Sequence, residues 1–180
     1  MGLLHDYFTA GSDEQAAAAI DLAGGPGGAL PPSPELQAAF RAGDRAAVRR
    51  LTQPRVRVSE HGLTVLSVKG IDPVEHLAAL EQILTGDGPE VVSARPRHGR
   101  AVAVRDGGER LILTLTDELH QALTRRAPQR VAAAAAEWAG TDAFAGHGDT
   151  EALTHVLHEL SRLAHHASDR NHRLYCWLCL

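Results

Sequence analysis

Apolar positions change their spacing several times along the chain, and each change marks an element. Val74, Leu77, Ala78, Leu80, Ile83 and Leu84 recur at helical spacing. Asp72-Pro73-Val74-Glu75 precedes them with an acidic cap, a proline at the first position and Glu three after the cap; Gly86 ends the run. The longest stripe is Ala152, Leu153, Val156, Leu157, Leu160, Leu163, Ala164 and Ala167, which predicts a helix from Thr150 to about Ser168. Ser12-Asp13-Glu14-Gln15 is a capping box that opens an Ala-rich helix to about Leu22. Ser33 with Pro34 starts a helix that runs to Ala42 and stops at Gly43, and a short one follows from Arg45 to Leu51. Thr116-Asp117-Glu118 opens a helix ending before Pro128, and Pro128 starts another that ends near Gly140.

Elsewhere the period falls to two. Val56 and Val58 alternate with Arg55, Arg57 and Ser59; Glu60-His61-Gly62 reads as a turn, and Leu63 to Val68 as the returning strand. Val91-Val92 reads as a short strand. Ala101 to Arg105 and Glu109 to Thr114 flank Asp106-Gly107-Gly108, a hairpin signal. The last seven residues, Leu174 to Leu180, are the most apolar window of the chain and predict a buried strand. That strand is apolar on both faces, which places it centrally in a sheet. Hairpins separated by helices predict an α+β fold: a mainly antiparallel sheet with helices packed on it and the C-terminal strand central. One domain over 1–180 is expected, interrupted by a Gly/Pro-rich loop at 24–34.

Composition narrows the function classes. The formal net charge of -4 gives no general attraction to nucleic acid or to an anionic membrane. The opening Met1-Gly2-Leu3-Leu4-His5-Asp6 has no basic region before an apolar one, which argues against a secretory signal, and lacks the Ser or Thr of a myristoylation signal. No apolar run is long enough to span a bilayer. Two cysteines make no disulfide scaffold, so a cytoplasmic location is expected. Arg far outnumbers Lys, which occurs only as Lys69, and Ala is abundant, a coding bias of GC-rich bacteria.

Three groups could carry chemistry. Cys176 and Cys179 have a Cys-x-x-Cys spacing, and with His172 they could hold a metal. Residues three apart on a strand point to opposite faces, though, and an apolar strand raises a thiol pKa, so the pair also reads as two small core side chains. His155, His158, His165 and His166 lie on the last helix, on the side opposite the leucines, where a solvated polar face is expected. Arg95, Arg97 and Arg100 form a compact basic loop, Arg95-Pro96-Arg97-His98-Gly99-Arg100, that could meet an anion or an acidic partner. Gly24-Gly25-Pro26-Gly27-Gly28 lacks the Gly-Lys-Ser/Thr ending of a phosphate loop, and no Gly-x-Ser-x-Gly elbow occurs. No cofactor is expected, and no catalytic set is assembled by the sequence.

The opening Met1 to Phe8, Lys69-Gly70-Ile71-Asp72-Pro73 and the closing Arg173-Leu174-Tyr175-Cys176-Trp177 resemble a small family of uncharacterised actinobacterial proteins. The order of elements is more distantly similar to the YfbM-like family of bacterial proteins. These start with Met-Gly and an aromatic-containing strand, place a Leu-Thr strand end before a helix (here Leu115-Thr116), and finish with a long helix leading into a final strand. The resemblance implies an α+β fold and carries over no catalytic residue. The expectation is a non-enzymatic protein-interaction module, immunity-like or accessory, with another protein as partner and neither nucleic acid nor membrane. The alternative is a small metal- or thiol-dependent enzyme using Cys176, Cys179 and the histidines.

Overall fold

A computed structural model describes residues 3–28, 33–125 and 130–180. The chain forms a six-stranded, wholly antiparallel sheet with helices packed on it, an α+β fold. The strands are β1 (Leu4–Ala10), β2 (Val56–Val58), β3 (Thr64–Lys69), β4 (Ala101–Arg105), β5 (Arg110–Thr114) and β6 (Arg173–Cys179). Their order is β2-β3-β1-β6-β5-β4, so the C-terminal strand is central, as its apolar faces require. The helices are α1 (Asp13–Ala18), α2 (Pro34–Ala42), α3 (Arg45–Leu51), α4 (His76–Thr85), α5 (Pro89–Ser93), α6 (Asp117–Arg125), α7 (Val131–Ala139) and α8 (Thr150–Asp169).

Alternation of side chains along β1 and β6 divides the core in two. Tyr7, Leu174 and Cys176, with Leu66 and Val68 of β3, face a layer built from α4, α6, α7 and α8. Phe8, Tyr175 and Trp177, with Val65 and Ile112, face the opposite way and are covered by α1 and the short turn that follows it. Local signals set the helix ends. The Ser12 side chain accepts from the Gln15 N–H, and the Gln15 side chain returns to the Gly11 N–H. Asp72 Oδ1 accepts from the N–H groups of Val74 and Glu75, both at 2.7 Å, so the capping residue is the expected one although regular helix begins at His76. Asp149 and Asp44 cap α8 and α3 in the same manner.

One expectation is corrected, and two features go beyond the apolar pattern. Val91 and Val92 lie in α5, because Gly88-Pro89-Glu90 is a helix start and outweighs two β-branched residues. Central β1 has no counterpart in the apolar pattern, since His5, Asp6 and Thr9 interrupt it, yet all three are buried. The Gly-rich loop is packed against the sheet at Gly25 and Gly27. Gly27 N–H donates to Asp6 Oδ2 at 2.8 Å, and Ser67 Oγ–H donates to Asp6 Oδ1 at 2.6 Å, so a buried carboxylate ties the loop to the sheet. A Cβ on Gly25 would lie 3.0 Å from the Trp177 ring, and one on Gly27 would lie 2.7 Å from Asp6 Oδ2 and 2.8 Å from Ser67 Oγ. Only glycine permits this approach. Gly27→Ala is therefore expected to push the loop off the sheet, leave Asp6 short of a donor and cost about 1–3 kcal/mol, measured by urea denaturation; an unchanged midpoint would show that the loop yields freely. The starts read at Pro128 and at Pro31-Pro32, and Met1-Gly2, lie outside the described residues.

Candidate functional site

The two cysteines sit on opposite faces of β6. Cys176 is fully buried against Tyr7 and the helix layer, and burial pushes its thiol well above the usual range; Cys179 is exposed. His172 precedes β6 while Cys179 ends it, roughly 20 Å away at the rise of a strand. Its ring faces Thr9 Oγ1 at 3.4 Å. Among the described residues no three His, Cys, Asp or Glu side chains are grouped so as to hold a metal ion. The helix histidines also divide. His158 and His165 are solvated, whereas His155 Nε2 lies 2.6 Å from Pro54 O and His166 Nε2 2.6 Å from Thr64 Oγ1. The side of α8 opposite the leucines is thus only partly free: the β2 and β3 edge covers its flank.

The basic loop turns inward instead of offering cations to an external anion. Arg95 is half-buried, its side chain 9% exposed, and paired with Glu81 and Asp87. Arg97 Nη1 donates to Asp13 Oδ1 at 2.9 Å, its Nε–H to Leu115 O at 3.3 Å, and its guanidinium lies 5.3 Å from the centre of the Tyr175 ring. Tyr175 O–H donates to the same Asp13 oxygen at 2.8 Å, and Arg100 reaches the other. Burial alone would raise the Asp13 carboxyl, but the bonds from Arg97 and Tyr175 and the two guanidinium charges hold it below the usual carboxylate range. Arg97 and Arg100 stitch α1 to the sheet, and Arg95 ties the loop to α4.

The feature with the form of a binding site lies at the other edge. β3 runs to Lys69, but β2 pairs only with Thr64, Val65 and Leu66. The chain before β2, Thr52 to Arg55, leaves the sheet toward α3, and Pro54 has no N–H with which to extend the ladder. Beside the uncovered end of β3 opens a cleft of about 820 Å³, within the usual size range of ligand sites. Val68, Ile71, Leu153 and Val156 give it an apolar floor, and Leu36 and Leu51 an apolar wall. Arg49, Arg55, Arg57 and Lys69 line its rim. Arg49 is paired with Glu151 at 3.1 Å, and Arg57 Nη2–H donates to Gly27 O at 2.6 Å. Arg55 and Lys69 meet no carboxylate of the chain among the described residues. The wall is fixed from below: buried Glu159 Oε2 accepts from the Val56 N–H at 2.6 Å, and His155 holds Pro54 O.

Sequence reasoning missed this cleft. A signal existed: no Asp or Glu occurs from Arg45 to Ser59, while Arg45, Arg49, Arg50, Arg55 and Arg57 do. No protein family, curated protein or solved structure is matched by this chain. No described helix is long and apolar enough to cross a membrane.

Proposed function

We propose that this chain is a protein-interaction module of the accessory or immunity-like kind, acting in a bacterial cytoplasm, with the cleft beside β3 as its contact face. The observation that carries the reading is the composition of that cleft. An apolar floor with Arg49, Arg55, Arg57 and Lys69 at its rim, Arg55 and Lys69 without a counter-charge among the described residues, is suited to an acidic partner surface that inserts apolar side chains. Leu4 and Leu51 stand at its margins with 42% and 40% of their surface exposed, more than packing within the chain requires.

The test is comparative capture from cells of the source organism. The wild-type chain should retain one stoichiometric partner. A Leu51→Glu, Arg55→Glu double variant should retain at least about tenfold less, the scale of a lost interface hot spot. Val104→Glu, on the distant edge strand β4, should retain it as the wild type does. All three should melt cooperatively. Equal retention by the cleft variant would remove the cleft from the interface.

A further inference from the structure

The backbone around the cleft restricts what it can receive. The register that pairs Val56 with Leu66 sets Arg55 opposite Ser67, so only Lys69 of β3 lacks a neighbour on that side among the described residues. A guest strand would find one open residue, and the rest of its N–H and C=O groups would stand unpaired over Val68, Ile71, Leu153 and Val156. The guest must therefore arrive with its main-chain bonds already made, as in a helix. The walls agree with this. Leu153 and Val156 lie one turn apart on α8 and border the cleft on one side, and Leu36 of α2 and Leu51 of α3 border it on the other. The cleft is thus a trough between helices, a form into which a further helix packs by ridges and grooves. Helices α2 and α3 also lack a covering layer. Of their residues only Ala39 and Ala47 are buried, while Leu36 is half-buried and Leu51 exposed.

We infer that the cleft takes an acidic amphipathic helix of a partner protein, seated between α8 and the α2–α3 pair. This rests on the reading of the cleft as the contact face and specifies the form of the partner. An apolar stripe at i, i+3 and i+7 of the guest enters the floor and meets Leu36 and Leu51 at the wall. Charge sets the flanks of that stripe. Among the described residues the lining holds Arg49, Arg55, Arg57 and Lys69 against one carboxylate, Glu151, which Arg49 already engages at 3.1 Å. Arg57 is held by a carbonyl, Gly27 O, so Arg55 and Lys69 are the cations left for Asp or Glu on the guest. A basic helix would add to an uncompensated positive rim, and a uniformly polar one would leave the floor wet.

The test uses the whole chain and a fluorescein-labelled peptide of about 15 residues, near the length at which an isolated helix holds. It carries Leu at i, i+3 and i+7, Glu beside them, and Ala and Gln elsewhere. Anisotropy should show saturable binding, far-ultraviolet dichroism should show the peptide gaining helix, and amide exchange in α2 and α3 should slow. A proline at the centre of the peptide breaks the helix without altering charge and should weaken binding about tenfold or more. Replacing the Glu residues by Lys should do the same, as should Lys69→Glu in the protein. Equal affinity for the proline peptide, or for an isomer with its Leu and Glu in strict alternation, would overturn the helix while leaving the capture experiment free to uphold the cleft. Absence of peptide binding together with loss of capture in the cleft variant would also reject the helix but retain the contact face. Slowed exchange of α2 and α3 in a peptide-free dimer would assign the trough to a second copy and overturn the proposal.

Discussion

A chain lacking Tyr175 to Leu180 should not fold cooperatively. β6 is the seam of the sheet, paired with β1 on one side and β5 on the other. Its removal detaches the β2-β3-β1 half from the β5-β4 half and leaves two sets of backbone groups unpaired. Both core layers lose side chains, because Cys176 and Leu178 fill one face and Tyr175 and Trp177 the other. Tyr175 also holds Asp13, through which α1 is fixed to the arginine loop. Each large buried side chain contributes roughly 1.5–3 kcal/mol, against about 5–15 kcal/mol for a whole domain. The expected product is insoluble, or compact with helical far-ultraviolet dichroism, no near-ultraviolet signal and strong dye binding. A soluble truncated chain with a single sharp thermal transition would show that the sheet closes without β6.

The elements that local rules dictate were the legible ones. The Leu stripe of α8 and the apolar run of β6 need no tertiary knowledge, since burial on one face or on both shows directly in period and composition. The two hairpin turns follow from Glu60-His61-Gly62 and Asp106-Gly107-Gly108, whose backbones reach positive φ at Gly62, Asp106, Gly107 and Gly108. β1 shows the limit. Asp6 is unreadable as a core residue until Gly27 and Ser67 are known to lie beside it, for a buried carboxylate is tolerated only where donors reach it. Loop glycines look alike whether they free the chain or let it press against a neighbour, and Gly25 and Gly27 do the latter. The arginine loop misled for a related reason: Asp13, Glu81 and Asp87 neutralise it from positions distant in sequence or fold. The cleft depends on one strand outlasting its neighbour, a difference of three residues in register that composition alone does not express.

Loss of the Arg95 guanidinium should be the most destabilising single change among the charged residues. Glu81 is 1% exposed, in the last turns of α4, and its carboxylate meets Arg95 and the Thr116 hydroxyl, which donates at 2.6 Å and also caps α6 at Leu119 N–H. Burial pushes the Glu81 carboxyl up, against the pull of Thr116 and Arg95. Arg95→Met keeps much of the volume but removes the counter-charge, so Glu81 must be buried as an unpaired carboxylate or be protonated. A cost of about 3–5 kcal/mol near neutral pH is expected, as for other broken buried pairs. The pH dependence gives the cause. A carboxyl with a raised folded pKa carries no penalty below its unfolded value, and the penalty grows as pH rises from there through the folded value. Without Arg95 that folded value rises further. The deficit of Arg95→Met relative to wild type should therefore be smallest in mild acid and widen toward neutrality, as read from urea midpoints across that range. Adding Glu81→Gln to Arg95→Met should flatten the dependence and recover part of the loss. A deficit that is constant with pH, or that widens on acidification, would mean that lost packing and not the unpaired Glu81 charge is responsible.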